Sequence, residues 1–357
     1  MTRSTRNTAK VILASFLLPL GAPAGAAGAD AAAALCHELA GPVTAEAPVS
    51  KQAVSDYFRA LRSARAACER AVIGASPDPQ ALFHVAVLMQ SDGEHALALE
   101  TFELAAEAGI AAARTKVGDY YNFGTGDVQE DLGRAVAEYR AAADAGDLPA
   151  KATLAIMFQL GRGTSRDFRQ MISLLEQSAN GGYHFAQLRL AAIYLNPTSN
   201  MPRSLAEELG LPDAVKAAEM LERASAQGNE DAARALKQLY SEDGPVTDPV
   251  QRAALIRRSA QGGDPAAINA LGFLYERGEG VDYDPEQAAS LYVQALETGK
   301  VSVNDIRGEV GGRAVAWDRD TALAFQRMLQ ERGLYNGALD AKVGPGTLRA
   351  AQGLARQ

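Results

Sequence analysis

The feature that most constrains this chain is a spacing. Short Ala- and Gly-rich stops recur as Ala106-Glu-Ala-Gly109, Ala143-Asp-Ala-Gly146, Ser178-Ala-Asn-Gly181, Ser225-Ala-Gln-Gly228, Ser259-Ala-Gln-Gly262 and Leu296-Glu-Thr-Gly299. Their glycines are 37, 35, 47, 34 and 37 residues apart. A repeat of that length is one helical pair that cannot bury its apolar face alone and must stack on its neighbours. An aspartate lies 14 or 15 residues before each stop from the second onward: Asp131, Asp167, Asp213, Asp248 and Asp284. Asp caps the free amides of a helix start, and Gly takes the left-handed position that ends one. Asp248-Pro-Val-Gln251 and Asp284-Pro-Glu-Gln287 add proline at the first helical position and a glutamine able to return a bond. The interval therefore measures a second helix, B, of about four turns.

A first helix, A, precedes it and ends in an aromatic: Tyr121, Phe158, Tyr194, Tyr240 or Tyr275. Glycine turns follow at Gly124-Thr-Gly126, Gly161-Arg-Gly163 and Gly278-Glu-Gly280. Large residues seven positions before the stops, Tyr139, Leu174, Leu221, Leu255 and Tyr292, read as core. The expected fold is all-α: an α-solenoid of stacked helix pairs over 77–300, then a small three-helix C-terminal module.

Several independent positions agree between units, and together they resemble Sel1-like repeats, relatives of the tetratricopeptide repeat. Leu271-Gly-Phe-Leu-Tyr275, Gly278-Glu-Gly-Val281 and Ala288-Ala289 match that pattern best. The resemblance spans five units from Ala111 to Gly299, with Pro79 to Gly109 closer to a plain tetratricopeptide unit. It implies a surface that binds a partner protein. One unit departs: 18 residues separate Tyr194 from Asp213, against 7 to 9 elsewhere. Insertions in repeat arrays gather on one face, often the binding face. Met201, Arg203 and Leu205 are therefore candidate partner-binding residues, with a tolerated surface loop as the alternative.

Residues 1–27 read as a secretory signal, with Arg3, Arg6 and Lys10 before the apolar run Val11 to Leu20 and small residues from Ala22 to Ala27. That run is too short to span a bilayer. With the leader removed, no membrane span remains, and the expected location is periplasmic. Cleavage also removes three positive charges from a chain of 35 bases and 43 acids, leaving about −11. Nucleic acid is not an expected partner of so acidic a chain. Cys36 and Cys68, in the N-terminal helical segment 28–76, are read as one disulfide in an oxidising compartment; two free buried thiols are the alternative.

Residues 301–317, with Gly308, Gly311, Gly312 and Trp317, are read as a linker helix. Residues 318–357 resemble the small peptidoglycan-binding domain of bacterial wall proteins at Phe325-Gln326, Leu329, Gly333, Tyr335, Gly337, Asp340, Gly344, Pro345 and Thr347. Ala341, Val343 and Leu354-Ala355 depart from that pattern, and Gly353 falls where its last helix runs. The resemblance implies Tyr335, Asn336 and Asp340 as candidate peptidoglycan-binding residues. The residues alone leave a second role open, in which Tyr335 and Asp340 only close the loop.

No catalytic pattern is present. His37, His84, His95 and His184 form no i, i+4 pair, no Gly-x-Ser-x-Gly or phosphate-loop motif occurs, and each Gly-x-Gly lies between helices. No metal ligands and no cofactor are expected. The sequence points to a non-catalytic periplasmic scaffold or adaptor, binding a protein through its repeats and peptidoglycan through its tail. The competing readings are a periplasmic regulator of a signalling partner without wall binding, and an enzyme subunit acting on peptidoglycan.

Overall fold

The computed structural model describes residues 26–42, 51–73, 75–241, 243–307, 309–310 and 313–354. The expected signal lies outside the described residues except for Ala26 and Ala27, which open the first helix. The chain forms two compact units, 1–190 and 191–357. No described helix is long and apolar enough to cross a membrane.

In the first unit, α1 (Ala26–Ala40) and α2 (Lys51–Ala71) pack together and are joined by the Cys36–Cys68 disulfide, with 4.8 Å between the Cα atoms. Both cysteines are fully buried. Then come α3 (Pro79–Ser91), α4 (His95–Glu107), α5 (Ala111–Phe123), α6 (Leu132–Asp144), α7 (Leu148–Leu160), α8 (Phe168–Asn180) and α9 (His184–Leu195), whose end enters the second unit. That unit continues with a 3-10 turn at Pro197–Ser199, then α10 (Arg203–Glu208), α11 (Ala214–Ala226), α12 (Glu230–Tyr240), α13 (Pro249–Gln261), α14 (Pro265–Arg277) and α15 (Pro285–Glu297). It ends with α16 (Arg319–Glu331) and α17 (Pro345–Ala351). The architecture is the expected solenoid of helix pairs.

All five aspartates cap B helices through their side chains, which accept from backbone amides of the first turn. A second row of caps, Asp78, Asp147, Asn229 and Asp264, starts A helices in the same way. The A-to-B turns also close alike. The amides of Asp131, Asp167, Asp213 and Asp284 donate to the carbonyls of Tyr121, Phe158, Tyr194 and Tyr275, at 2.9, 3.1, 2.8 and 3.0 Å.

Two of the expected stops are one residue early. Gly181 and Gly262 have φ near −70°, and the left-handed residues are Gly182 and Gly263, at +106° and +87°. The core position seven residues earlier then falls on Leu175 and Ile256, which are almost wholly buried, and Leu255 is buried as expected. Leu174, expected in the core, is half-buried. The corrected register exposes a size rule between paired helices. Where B carries Tyr139 or Tyr292, A carries Gly118 or Gly272, and a Cβ there would lie 2.8 or 2.9 Å from the ring. Where B carries Leu175 or Leu221, the same A position is Ala155 or Ala191. A larger residue at one position is thus matched by a smaller one at the other, as close packing requires.

Residues 301–317 are not the expected linker helix. The described residues among them form turns and a two-residue antiparallel ladder, β1 (Glu309–Val310) with β2 (Arg313–Ala314). Three glycines in twelve residues explain the departure, since each costs about 1 kcal/mol in a helix. Gly353 is likewise not in a helix, because α17 stops at Ala351. In the C-terminal module α16 and α17 complete one core with α15: Tyr292, Val293 and Leu296 pack with Phe325, Leu329, Ala351 and Leu354. Trp317 stacks on Phe325 at 5.2 Å and meets Tyr292 edge-on at 5.6 Å.

Candidate functional site

The expected wall-binding residues share one loop, organised from below by Gln326. This glutamine is fully buried on α16. Its Oε1 accepts from the amides of Asp340 and Ala341 at 3.1 and 3.0 Å, and its Nε2 donates to Asp340 Oδ1 and the Lys342 carbonyl, both at 3.1 Å. Asp340 Oδ1 also accepts from the Lys342 amide at 3.0 Å. The Gln326 side chain and then the Lys342 amide hold the exposed Asp340 carboxyl below its ordinary range. The Tyr335 hydroxyl donates to the Ala338 carbonyl at 3.0 Å, and its half-buried ring packs on the shared core.

Tyr335 and Asp340 are thus engaged in closing the loop, and what the loop turns outward is Asn336 and Leu339. Gln326 is visible in the sequence as one matched position of a pattern, but its role depends on a turn 14 residues away. Ala341, where glycine is usual in the resembled pattern, has φ of +61°. A Cβ in that region costs about 1–2 kcal/mol. Ala341→Gly is therefore expected to stabilise the C-terminal module by about 1 kcal/mol, read as slower amide exchange in α16 and α17; unchanged exchange would contradict the strain.

The insertion after Tyr194 places its candidate residues apart. Met201 is 5% exposed, as buried as Ala206 and Leu211 of the same insertion, so it is not available to a partner. Burying apolar side chains of a long insertion is favourable, and spacing along the chain does not reveal which of them are buried. Leu205 is half-buried. Arg203 is exposed and pairs with Glu207 at 2.9 Å.

Sequence reasoning missed a buried polar centre at the end of the repeats. Glu276 of α14 is 4% exposed, and its Oε2 accepts from Arg307 Nε at 2.7 Å and from the Tyr292 hydroxyl at 2.5 Å. Its Oε1 accepts from the Asp318 amide at 2.9 Å. Arg307 also donates to the carbonyls of Val315 and Ala316, each at 2.9 Å, and lies 4.7 Å from the Trp317 ring. Burial first and the Glu276 charge second raise the Tyr292 hydroxyl far above its ordinary range. This centre fastens the start of α16 to the last repeat.

The four histidines are dispersed. His37 pairs with Asp78 at 2.8 Å, His95 meets the Tyr120 hydroxyl at 3.2 Å, and His184 lies beside Tyr183. His84 is fully buried, and neither ring nitrogen has a hydrogen-bond partner of good geometry. Among the described residues, no group of three His, Cys, Asp or Glu side chains could hold a metal ion.

Residues 111–147, 149–183, 184–229 and 265–299 match the Sel1 repeat family. The expected unit between them is not matched. Its A helix carries Lys237 where the other units have Gly or Ala, and its turn lacks Gly-x-Gly. A Sel1 repeat protein from Oxalobacter formigenes, known from its crystal structure, is 18% identical over 76% of this chain and 98% of that one, with a TM-score of 0.39. A protective antigen present in uropathogenic Escherichia coli strains, displaying an SLR fold, is 20% identical over 85% of this chain and 79% of that one, with a TM-score of 0.35. No curated protein matches the chain. The chain thus carries four stretches that match the Sel1 repeat, built on one grammar of caps, turns and paired helices.

Proposed function

We propose that this protein is a non-catalytic scaffold or adaptor of the periplasm, which holds a partner protein on its repeats. The observation that carries this reading is the array itself, in which most large apolar side chains are buried and the helix surfaces remain for recognition. The N-terminal signal pattern and the buried Cys36–Cys68 disulfide both favour an oxidising compartment. Cell fractionation with cross-linking should recover the mature protein in the periplasm together with specific partners. Recovery in the cytosol would overturn the location, and a cross-linked profile equal to that of an unrelated periplasmic protein would overturn the scaffold.

Wall binding is the finer part of the proposal, with Asn336 and Leu339 at the outer edge of the loop as its contacts. A specific observation favours the regulator reading instead: Tyr335 and Asp340 are occupied in closing the loop, and α16 completes a core begun by α15. Purified sacculi separate the two. Wall binding predicts that the full mature protein co-sediments and that Asn336→Ala with Leu339→Asp stays in the supernatant. Native protein left in the supernatant would remove the wall and leave the regulator.

A further inference from the structure

We propose that one face of the first unit, formed by α5, α7 and Arg189 of α9, docks a partner segment in which acidic residues surround apolar anchors. The inference rests on the repeats being the protein-binding part of the molecule, and it adds where the partner sits and with what chemistry.

Residues three, four and seven apart share one helix face. On α5 that stripe is Lys116, Asp119 and Phe123; at the same repeat positions α7 presents Thr153, Ile156 and Leu160. Arg189 is the counterpart of Lys116 on α9, and its Nη2 donates to Gln159 Oε1 of α7 at 2.7 Å, so the stripes adjoin. Phe123 is 65% exposed and Leu160 56%. One exposed leucine needs no explanation. Here two large apolar side chains occupy the same position on neighbouring A helices, with half-buried Ile156 one turn before Leu160. A contiguous apolar patch rimmed by polar groups marks an interaction site. At the equivalent position α14 carries Arg277, which pairs with Glu279.

Charge supplies the partner's chemistry. The A helices α5, α7 and α9 carry Arg114, Lys116, Lys151 and Arg189 against one acid, Asp119, which pairs with Lys116 at 3.6 Å, while Arg114 reaches Glu138 of α6 at 3.3 Å. The B helices α4, α6 and α8 carry Arg134, Arg140 and Arg169 against Glu100, Glu103, Glu107, Glu138, Asp144 and Glu176. In a chain of net charge −8, these three A helices are therefore net basic. Such a field steers an acidic segment into place, and the exposed apolar side chains hold it.

The test is selection of a random peptide library on the full mature protein, followed by fluorescence anisotropy with the synthesised consensus peptide. The expected consensus is acidic with aliphatic or aromatic anchors. Phe123→Ser with Leu160→Ser should weaken its binding at least about tenfold, as should Lys116→Glu with Arg189→Glu, with salt weakening the native interaction. Matching circular dichroism of the variants shows that they fold. No enrichment, a neutral or basic consensus, or undiminished binding by both variants overturns the proposal. So does sedimentation showing a dimer that Phe123→Ser with Leu160→Ser dissolves, or a retained single-stranded oligonucleotide. Periplasmic cross-linking that captures the same partners with and without the Phe123 and Leu160 substitutions would remove this surface and leave the scaffold standing.

Discussion

Arg307→Ala should release the C-terminal module from the last repeat at a cost of about 3–5 kcal/mol, the range for breaking a buried ion pair from one side. Arg307 and Glu276 side chains are 8% and 2% exposed, so the remaining carboxylate would stay buried without its countercharge. The variant also loses two bonds to the Val315 and Ala316 carbonyls and the stacking on Trp317. Native-state hydrogen exchange reads the result directly: amides of α16 should exchange about two to three orders of magnitude faster, while those of α5 and α7 keep their rates. Replacing both partners, as Glu276→Met with Arg307→Met, should restore much of the loss, because the desolvation cost disappears together with the attraction. A single substitution that leaves α16 protected would show that the shared core alone fastens the module.

Acid should loosen the first unit through His84. Burial is the main cause that lowers this histidine from 6.5 to about 4; the Gly41 carbonyl and Asp78 oppose it, and His37 adds to it. A base held neutral in the folded state binds its proton more readily when unfolded. Its contribution is complete above about pH 6.5 and is lost as the pH falls towards 4, a change of about 3 kcal/mol. Half-buried Glu103, Asp119 and Asp147 act in the opposite sense, because desolvation raises their carboxyls and acid then favours the folded form. The informative quantity is therefore a difference between variants. His84→Leu should flatten the dependence of first-unit stability between pH 7 and 5 relative to the native chain. Parallel profiles for the two proteins would place the acid sensitivity elsewhere.

The features legible in the sequence were those set by neighbours along the chain. An aspartate cap needs only the next three amides, and a left-handed glycine only its own backbone, so the helix pairs could be placed from punctuation. The misplaced stops show where that ends. Gly181-Gly182 and Gly262-Gly263 offer two candidates each, and only the fold decides which one turns. The Cys36–Cys68 disulfide followed from the number of cysteines and the expected compartment. The Glu276–Arg307 pair gave no signal, since it joins residues 31 apart and one partner lies in a glycine-rich segment that resembled a linker. In the C-terminal loop the pattern located Tyr335, Asn336 and Asp340 together. It did not distinguish a side chain that closes a loop from one that projects from it, because Gln326 performs that sorting from a different element. Met201 failed for a related reason: an apolar residue in an insertion is buried when the fold offers cover, which spacing along the chain does not reveal.

The bond from the Asp213 amide to the Tyr194 carbonyl closes its turn at 2.8 Å, as in units whose turns are at most half as long. Chain length between those two residues is thus uncoupled from helix register. A segment may grow, shrink or be exchanged there while both anchor points stay where the neighbouring helices need them. For an array of this kind, that makes the A-to-B crossing a permissive port, at which novelty can be tried without renegotiating the interior.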